Sequence, residues 1–254
     1  MAICSNMEVN PRFSFKEIKI RGGDKGAHRD GWGIGFYQEG AANIIKEALP
    51  AYKSQKARAI EDGTIKLNSK IFVTHIRWSS AGEVSPQNAH PFKRTLFNKD
   101  WIFAHNGTVR GIFNEKLNHF KPVGETDSEY AFCFILDKLK EKCKENSSTA
   151  DFRKVIEETA NQIKELGKFN CILSDSEYVY AFGDNSLCFT IRTKVAKSLT
   201  LKDADYTINV SDMKRTGEKA VIIATMPLTT EEEWTKFKGL KIFKDGEEIH
   251  TKKH

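Results

Sequence analysis

Between His75 and Gly107 the sequence concentrates residue types that bind a charged, polar small molecule. His75-Ile-Arg77-Trp-Ser-Ser80-Ala-Gly82 follows the apolar run Ile71-Phe-Val73, and His105-Asn106-Gly107 follows Trp101-Ile-Phe-Ala104. Asn88-Ala-His90-Pro-Phe92 lies between them. Polar groups delivered from the ends of buried strands are how a rigid core builds a pocket. Arg77 offers the planar fork that grips a carboxylate with two parallel hydrogen bonds, although a solvated strand-end arginine has the same sequence signature. Asn106 and Gly107 suit a developing oxyanion, and the same dipeptide also suits a type I′ hairpin turn. Asp127, in Thr126-Asp-Ser-Glu129, suits either a substrate ammonium or the first turn of a helix.

Other reactive residues read more plainly. His75, His90 and His105 are spaced too widely for a helical metal pair and have no accompanying carboxylate pattern, so hydrogen bonding is expected of them and no metal is. Cys133, Cys171 and Cys188 lie in apolar stretches and read as core. The segment Arg21 to Tyr37 is rich in glycine but precedes an apolar run. It therefore reads as a loop entering a strand pressed against another backbone, not as a phosphate cradle.

The elements that must carry these residues are legible from periodicity. Residues 2–7 read as a strand, with a helix or loop following to Lys19. Asn43 to Ala48 is the return strand of a hairpin, and Tyr52 to Asp62 a helix. Thr126 or Ser128 caps a helix whose buried face includes Tyr130, Cys133 and Phe134. Phe152 to Leu166 is a second amphipathic helix. Phe169 to Leu173 and Tyr178 to Phe182 form a hairpin, with further strands at Cys188 to Ile191 and Ala220 to Thr225. Thr229 or Thr230 with Glu232 or Glu233 predicts a capped helix start before Trp234. Leu240 to Glu247 is a final hairpin. Nothing resembling a linker or repeat divides the chain, so one α+β domain over 1–254, with two sheets and helices outside, is expected.

Composition limits the function classes. The chain has 254 residues, 39% of them hydrophobic, including 17 Phe, enough for a substantial core. Its net charge of +6 comes from lysines scattered among glutamates, a mixed solvated surface unlike a nucleic-acid footprint. Five cysteines without a CxxC pair fit a reducing compartment and not a disulfide framework. No apolar run approaches the roughly 18 residues of a membrane span, and the start lacks a signal-peptide pattern. A cytoplasmic location is expected, with no membrane or nucleic-acid partner.

Taken in order, His-x-Arg-aromatic-Ser-Ser-x-Gly, Asn-x-His-Pro-Phe, His-Asn-Gly and Thr-Asp-Ser-Glu resemble the glutaminase domain of class II glutamine amidotransferases, members of the N-terminal-nucleophile hydrolases. Arg21-Gly-Gly, His28-Arg-Asp-Gly-Trp-Gly-Ile34 and Ala224-Thr-Met-Pro-Leu-Thr229 are similar to the small stand-alone members. The resemblance covers roughly residues 2–245. It implies a four-layer αββα sandwich with substrate at the sheet ends. By position it implies that Arg77 binds the glutamine α-carboxylate beside the supporting hydroxyl of Ser80. Asn106 and Gly107 would form the oxyanion hole, and Asp127 would hold the α-ammonium. It implies glutamine or a γ-glutamyl compound as substrate and no cofactor. The ammonia has no acceptor domain on this chain, which leaves a separate ammonia-accepting enzyme or simple hydrolysis. A homo-oligomer is left open.

The resemblance breaks at the N-terminus. The family nucleophile is a cysteine made N-terminal by loss of Met1, its own α-amine acting as base. Here that place holds Ala2, which implies an inactive variant or a natural non-catalytic glutamine-binding or partner-docking homologue. In a competing reading, trimming exposes Cys4 as the nucleophile.

Overall fold

The computed structural model describes residues 1–80, 82–192, 198–210 and 215–250. In chain order, the first half runs β1 (Ala2–Val9), α1 (Arg12–Arg21), β2 (Trp32–Gln38), β3 (Ala41–Glu47), α2 (Gln55–Asp62), β4 (Ser69–Ile76), β5 (Phe92–Leu96) and β6 (Lys99–Thr108). Two long helices follow, α3 (Asp127–Lys142) and α4 (Thr149–Lys164), and then β7 (Lys168–Ser174), β8 (Val179–Gly183) and β9 (Cys188–Arg192). The last part holds β10 (Ser198–Thr200), β11 (Thr207–Asn209), β12 (Ala220–Ala224), β13 (Thr235–Lys236), β14 (Gly239–Lys244) and β15 (Glu247–Glu248).

Two antiparallel sheets stack face to face. One has the order β13-β9-β12-β1-β4-β2-β3 and the other β15-β14-β8-β7-β6-β5, with β10-β11 a separate ribbon. Three apolar clusters make this a four-layer αββα sandwich. Ala2, Val73, Ile102, Ile172 and Val221 fill the space between the sheets. Phe15 and Ile18 of α1 and Ala57 and Ile60 of α2 pack on the outer face of the first sheet. Phe132, Leu136, Ile156 and Ile163 of α3 and α4 cover the second. Phe103 and Phe132 stack at 5.0 Å across that last layer, and each buried ring adds about 2–3 kcal/mol of transfer free energy.

Local rules explain most element ends. Thr126 Oγ1 accepts from Glu129 N at 3.1 Å, capping α3, and Ser148 with Asp151 forms a full capping box on α4. The expected helix from Tyr52 begins only at Gln55, because Ser54 is its cap and Ala51–Lys53 forms a tighter turn. β2 is pressed close as its glycines suggested: a Cβ on Gly33 would lie 2.3 Å from His90 O.

One expected element is corrected. No helix begins at Thr229. Thr229 Oγ1 instead donates to Glu232 Oε2 at 2.6 Å and accepts from Trp234 Nε1 at 3.1 Å. Glu232 also pairs with Arg192, closing a turn that leads straight into β13 on β9. The ribbon β10-β11 had no sequence signal, because its strands are three residues long.

Candidate active site

β1 lies in the middle of its sheet, between β12 and β4, with Ala2 opposite Val73 on one side and Ile223 on the other. The chain therefore starts inside the core. The Met1 α-amine donates to Thr74 O at 2.8 Å, and burial, then the Arg21 cation, lowers its pKa from 8.0 to about 5. The charge of this terminus in turn acts on His75, the next residue of β4.

Beside it a polar cavity of about 80 Å³ opens at the ends of β4 and β6 and the start of α3. That is space for several waters, each of which needs about 10–15 Å³. Arg77, Ser80, Asn106, Gly107 and Asp127 all line it, so residues spread over 51 positions converge at one place. Ala2 is the exception. It is wholly buried between the sheets and is absent from the described lining. A larger cavity of about 780 Å³, bounded by Phe13, Arg192, Leu199 and Val210, contains none of these groups.

Each lining group has a defined support. Arg77, 3% exposed, donates to Ser79 Oγ at 3.1 Å, Gly82 O at 3.2 Å and Glu83 O at 3.0 Å. Desolvation lowers its pKa, and Asp30, whose carboxylate accepts from Ser79 N, opposes that shift. Ser80 Oγ lies 3.2 Å from Thr108 Oγ1, and its carbonyl accepts from Arg110. Asp127 is the first residue of α3 and is 3% exposed. Its Oδ2 accepts from Val109 N at 2.7 Å and its Oδ1 from Ser128 N at 2.9 Å, which leaves further lone pairs for a cation.

Asn106-Gly107 is not a hairpin turn. Both residues sit within β6, opposite Asn170 and Phe169 of β7, and Gly107 has φ +153. A Cβ there would lie 1.8 Å from Lys168 O, so the position admits only glycine.

The three histidines differ. His105 bridges Ser128 Oγ at 2.8 Å and Lys168 O at 3.1 Å, as the hydrogen-bonding expectation had it. His90 and His75 depart from it: neither ring nitrogen of His90, nor His75 Nδ1, has a partner among the described residues, and the His90 ring lies tilted 4.2 Å from His75 and 4.6 Å from Phe92. Desolvation pushes all three below the usual 6.5. No group of three metal-ligating side chains occurs among the described residues.

Cys4 lies two residues further along β1, opposite Ile71 and Val221, and lines a different cavity with Lys70, Ser176 and Asp245. Burial raises its thiol pKa to about 11.

A family profile for class II glutamine amidotransferases matches residues 1–254. The chain belongs to the class II glutamine amidotransferases. MJ1515 of Methanocaldococcus jannaschii is 39% identical over 259 residues, 100% of this chain and 71% of its own length. YafJ of Escherichia coli K12, whose name places it among glutamine amidotransferases, is 37% identical over 93% of this chain and 92% of its own. A 2.0 Å crystal structure of a predicted glutamine amidotransferase from Pseudomonas aeruginosa PA01 superposes with TM-score 0.74 at 27% identity, covering 98% of each chain. The Bacillus subtilis glutamine phosphoribosylpyrophosphate amidotransferase shares the fold at TM-score 0.57 and 13% identity, over 98% of this chain and 47% of that one.

Around this cavity, sequence reasoning missed Ser128 as a partner of His105 and Asn170 as a neighbour of Asn106. Ser128 lies in the Thr126-Asp-Ser-Glu129 motif but was read only as a possible helix cap, and Asn170 lies in no motif; cross-strand register and the packing of α3 bring them there. No helix of the described residues is long and apolar enough to cross a membrane.

Proposed function

We propose that this fold, acting as one domain over residues 1–254, recognises glutamine or a γ-glutamyl compound and is built to hydrolyse its side-chain amide. The observation that carries the reading is the convergence of Arg77, Asp127 and Asn106-Gly107 on one cavity beside the chain terminus. A free amino acid presents a carboxylate and an ammonium at one end and a scissile carbonyl at the other. The carboxylate would displace neutral acceptors from Arg77, exchanging ordinary hydrogen bonds for charge-assisted ones. Asp127 retains acceptor capacity for the ammonium, and the amide nitrogens of Asn106 and Gly107 answer the charge that grows on the carbonyl oxygen.

The attacking atom belongs at position 2. A thiol there gives its proton to the terminal amine and adds to the side-chain carbonyl as the thiolate; the amine passes the proton to the nitrogen that leaves as ammonia, and water then hydrolyses the thioester. The methyl group of Ala2 has no lone pair, so the chain as it stands binds without turning over. Placement disfavours Cys4 as its substitute: trimming to Cys4 would delete two paired residues, Ala2 and Ile3, from the centre of a sheet. We place this chemistry in the cytoplasm, where the five free, buried thiols are stable. The ammonia is either released or taken by a separate enzyme.

The test is Ala2→Cys with Met1 removed. It releases ammonia from glutamine or a γ-glutamyl peptide, and Arg77→Ala in that background abolishes release. If none of these substrates yields ammonia, the pocket is a sensor or a docking site and the hydrolytic reading is wrong.

A further inference from the structure

The oxyanion reading depends on one peptide plane, and the structure points to the side chain that orients it. We propose that Asn170 is a positioning residue that sets the Asn106–Gly107 peptide, so that the Gly107 N–H faces the substrate carbonyl. This rests on the functional reading above and deepens it.

Asn170 stands opposite Asn106 across the β6–β7 pair and is 1% exposed. Its Nδ2 donates to Asn106 O at 3.1 Å. That oxygen and the Gly107 N–H belong to the same planar, trans peptide, in which they point in opposite directions. Holding the oxygen on the Asn170 side turns the N–H to the other side. Asn106 and Gly107 line the cavity, whereas Asn170 is not among its described lining residues. The other face of the carboxamide is equally committed. Asn170 Oδ1 accepts from the backbone N–H groups of Asp184, Asn185 and Ser186 at 3.0, 3.1 and 3.1 Å, and Nδ2 also donates to Asn185 Oδ1 at 3.2 Å. These are three of the four residues that connect β8 to β9, where the chain crosses from one sheet to the other. A side chain held at this many points cannot rotate, so the peptide it grips is oriented before substrate arrives.

Asn170→Asp keeps the three bonds accepted from the crossover loop and removes both Nδ2 donations, to Asn106 O and to Asn185 Oδ1; Asn185→Ala, which removes only the second, is the control. In the Ala2→Cys protein, the expected result is a fall in kcat of about a hundredfold with KM for glutamine changed less than about threefold. In the chain as it stands, glutamine affinity by calorimetry stays the same, while the Gly107 amide resonance shifts. The proposal is overturned if kcat is unchanged, if KM rises instead, or if the Gly107 resonance does not move. Failure of the functional reading looks different: the Ala2→Cys parent itself is then inactive, and the Gly107 resonance still decides whether Asn170 orients that peptide.

Discussion

The α-amine of Met1 donates to Thr74 O at 2.8 Å, one residue before His75, whose ring lines the polar cavity. A retained methionine therefore puts its own amine, and not that of residue 2, close to the cavity. Removing Met1 vacates this position without disturbing the pairing of Ala2 with Val73 and Ile223. Protein lacking Met1, verified by intact mass, is expected to bind glutamine at least about tenfold more tightly than protein retaining it, a difference of about 1.4 kcal/mol. Equal affinities in calorimetry would show that Met1 lies outside the path of the ligand.

Gly107→Ala is expected to destabilise the fold by about 3 kcal/mol or more, because the added carbon meets Lys168 O and His105 Nε2. Gly40→Ala is the control: its φ of +81 is also positive, in the left-handed region, but nothing lies within 4 Å, so the cost is about 1 kcal/mol. Urea unfolding of both variants measures the difference. Similar losses would mean that backbone conformation, and not contact with β7, restricts position 107.

Acid should weaken the fold through its buried bases. Burial holds His75, His90 and His105 below their ordinary 6.5, and the Met1 amine at about 5 instead of 8.0. Their folded pKa values lie below the unfolded ones, so the unfolded chain binds more protons and stability falls as pH drops. For the histidines the loss starts near 6.5 and continues until the folded rings protonate. Each fully linked group contributes about 1.4 kcal/mol per pH unit, so three rings together give up to about 4. His90→Phe removes one of the four linked groups, the Met1 amine included, and is expected to flatten the slope between about pH 6.5 and 5 by roughly a quarter. A slope identical to that of the parent would contradict the assignment of His90 as a neutral, unpartnered ring.

Cys4→Ala in the Ala2→Cys background should leave ammonia release within about twofold of its parent, while lowering stability by about 1 kcal/mol for the lost buried sulfur. Loss of activity with the fold intact would instead restore Cys4 as the nucleophile. Its place opposite Ile71, lining a cavity that holds no residue of the polar site, argues against that result.

By itself the sequence determined the strands and helices that carry the site, because burial periodicity and capping chemistry act over a few residues. Ile71-Phe-Val73 and Trp101-Ile-Phe-Ala104 announced β4 and β6, and Thr126 announced α3. The order of four short motifs also pointed to the family. Tertiary structure decided what those residues touch. Asn106 meets Asn170 across 64 positions, His105 meets Ser128 across 23, and the Met1 amine meets Thr74 across 73. Such contacts are set by strand register and sheet stacking, which depend on the whole core and leave no local pattern. The same cause explains one misreading and settles one open choice. Thr229 to Trp234, locally a helix start, is drawn into a turn by Arg192, and Asn106-Gly107, which locally suits a turn as well, lies within β6 against β7.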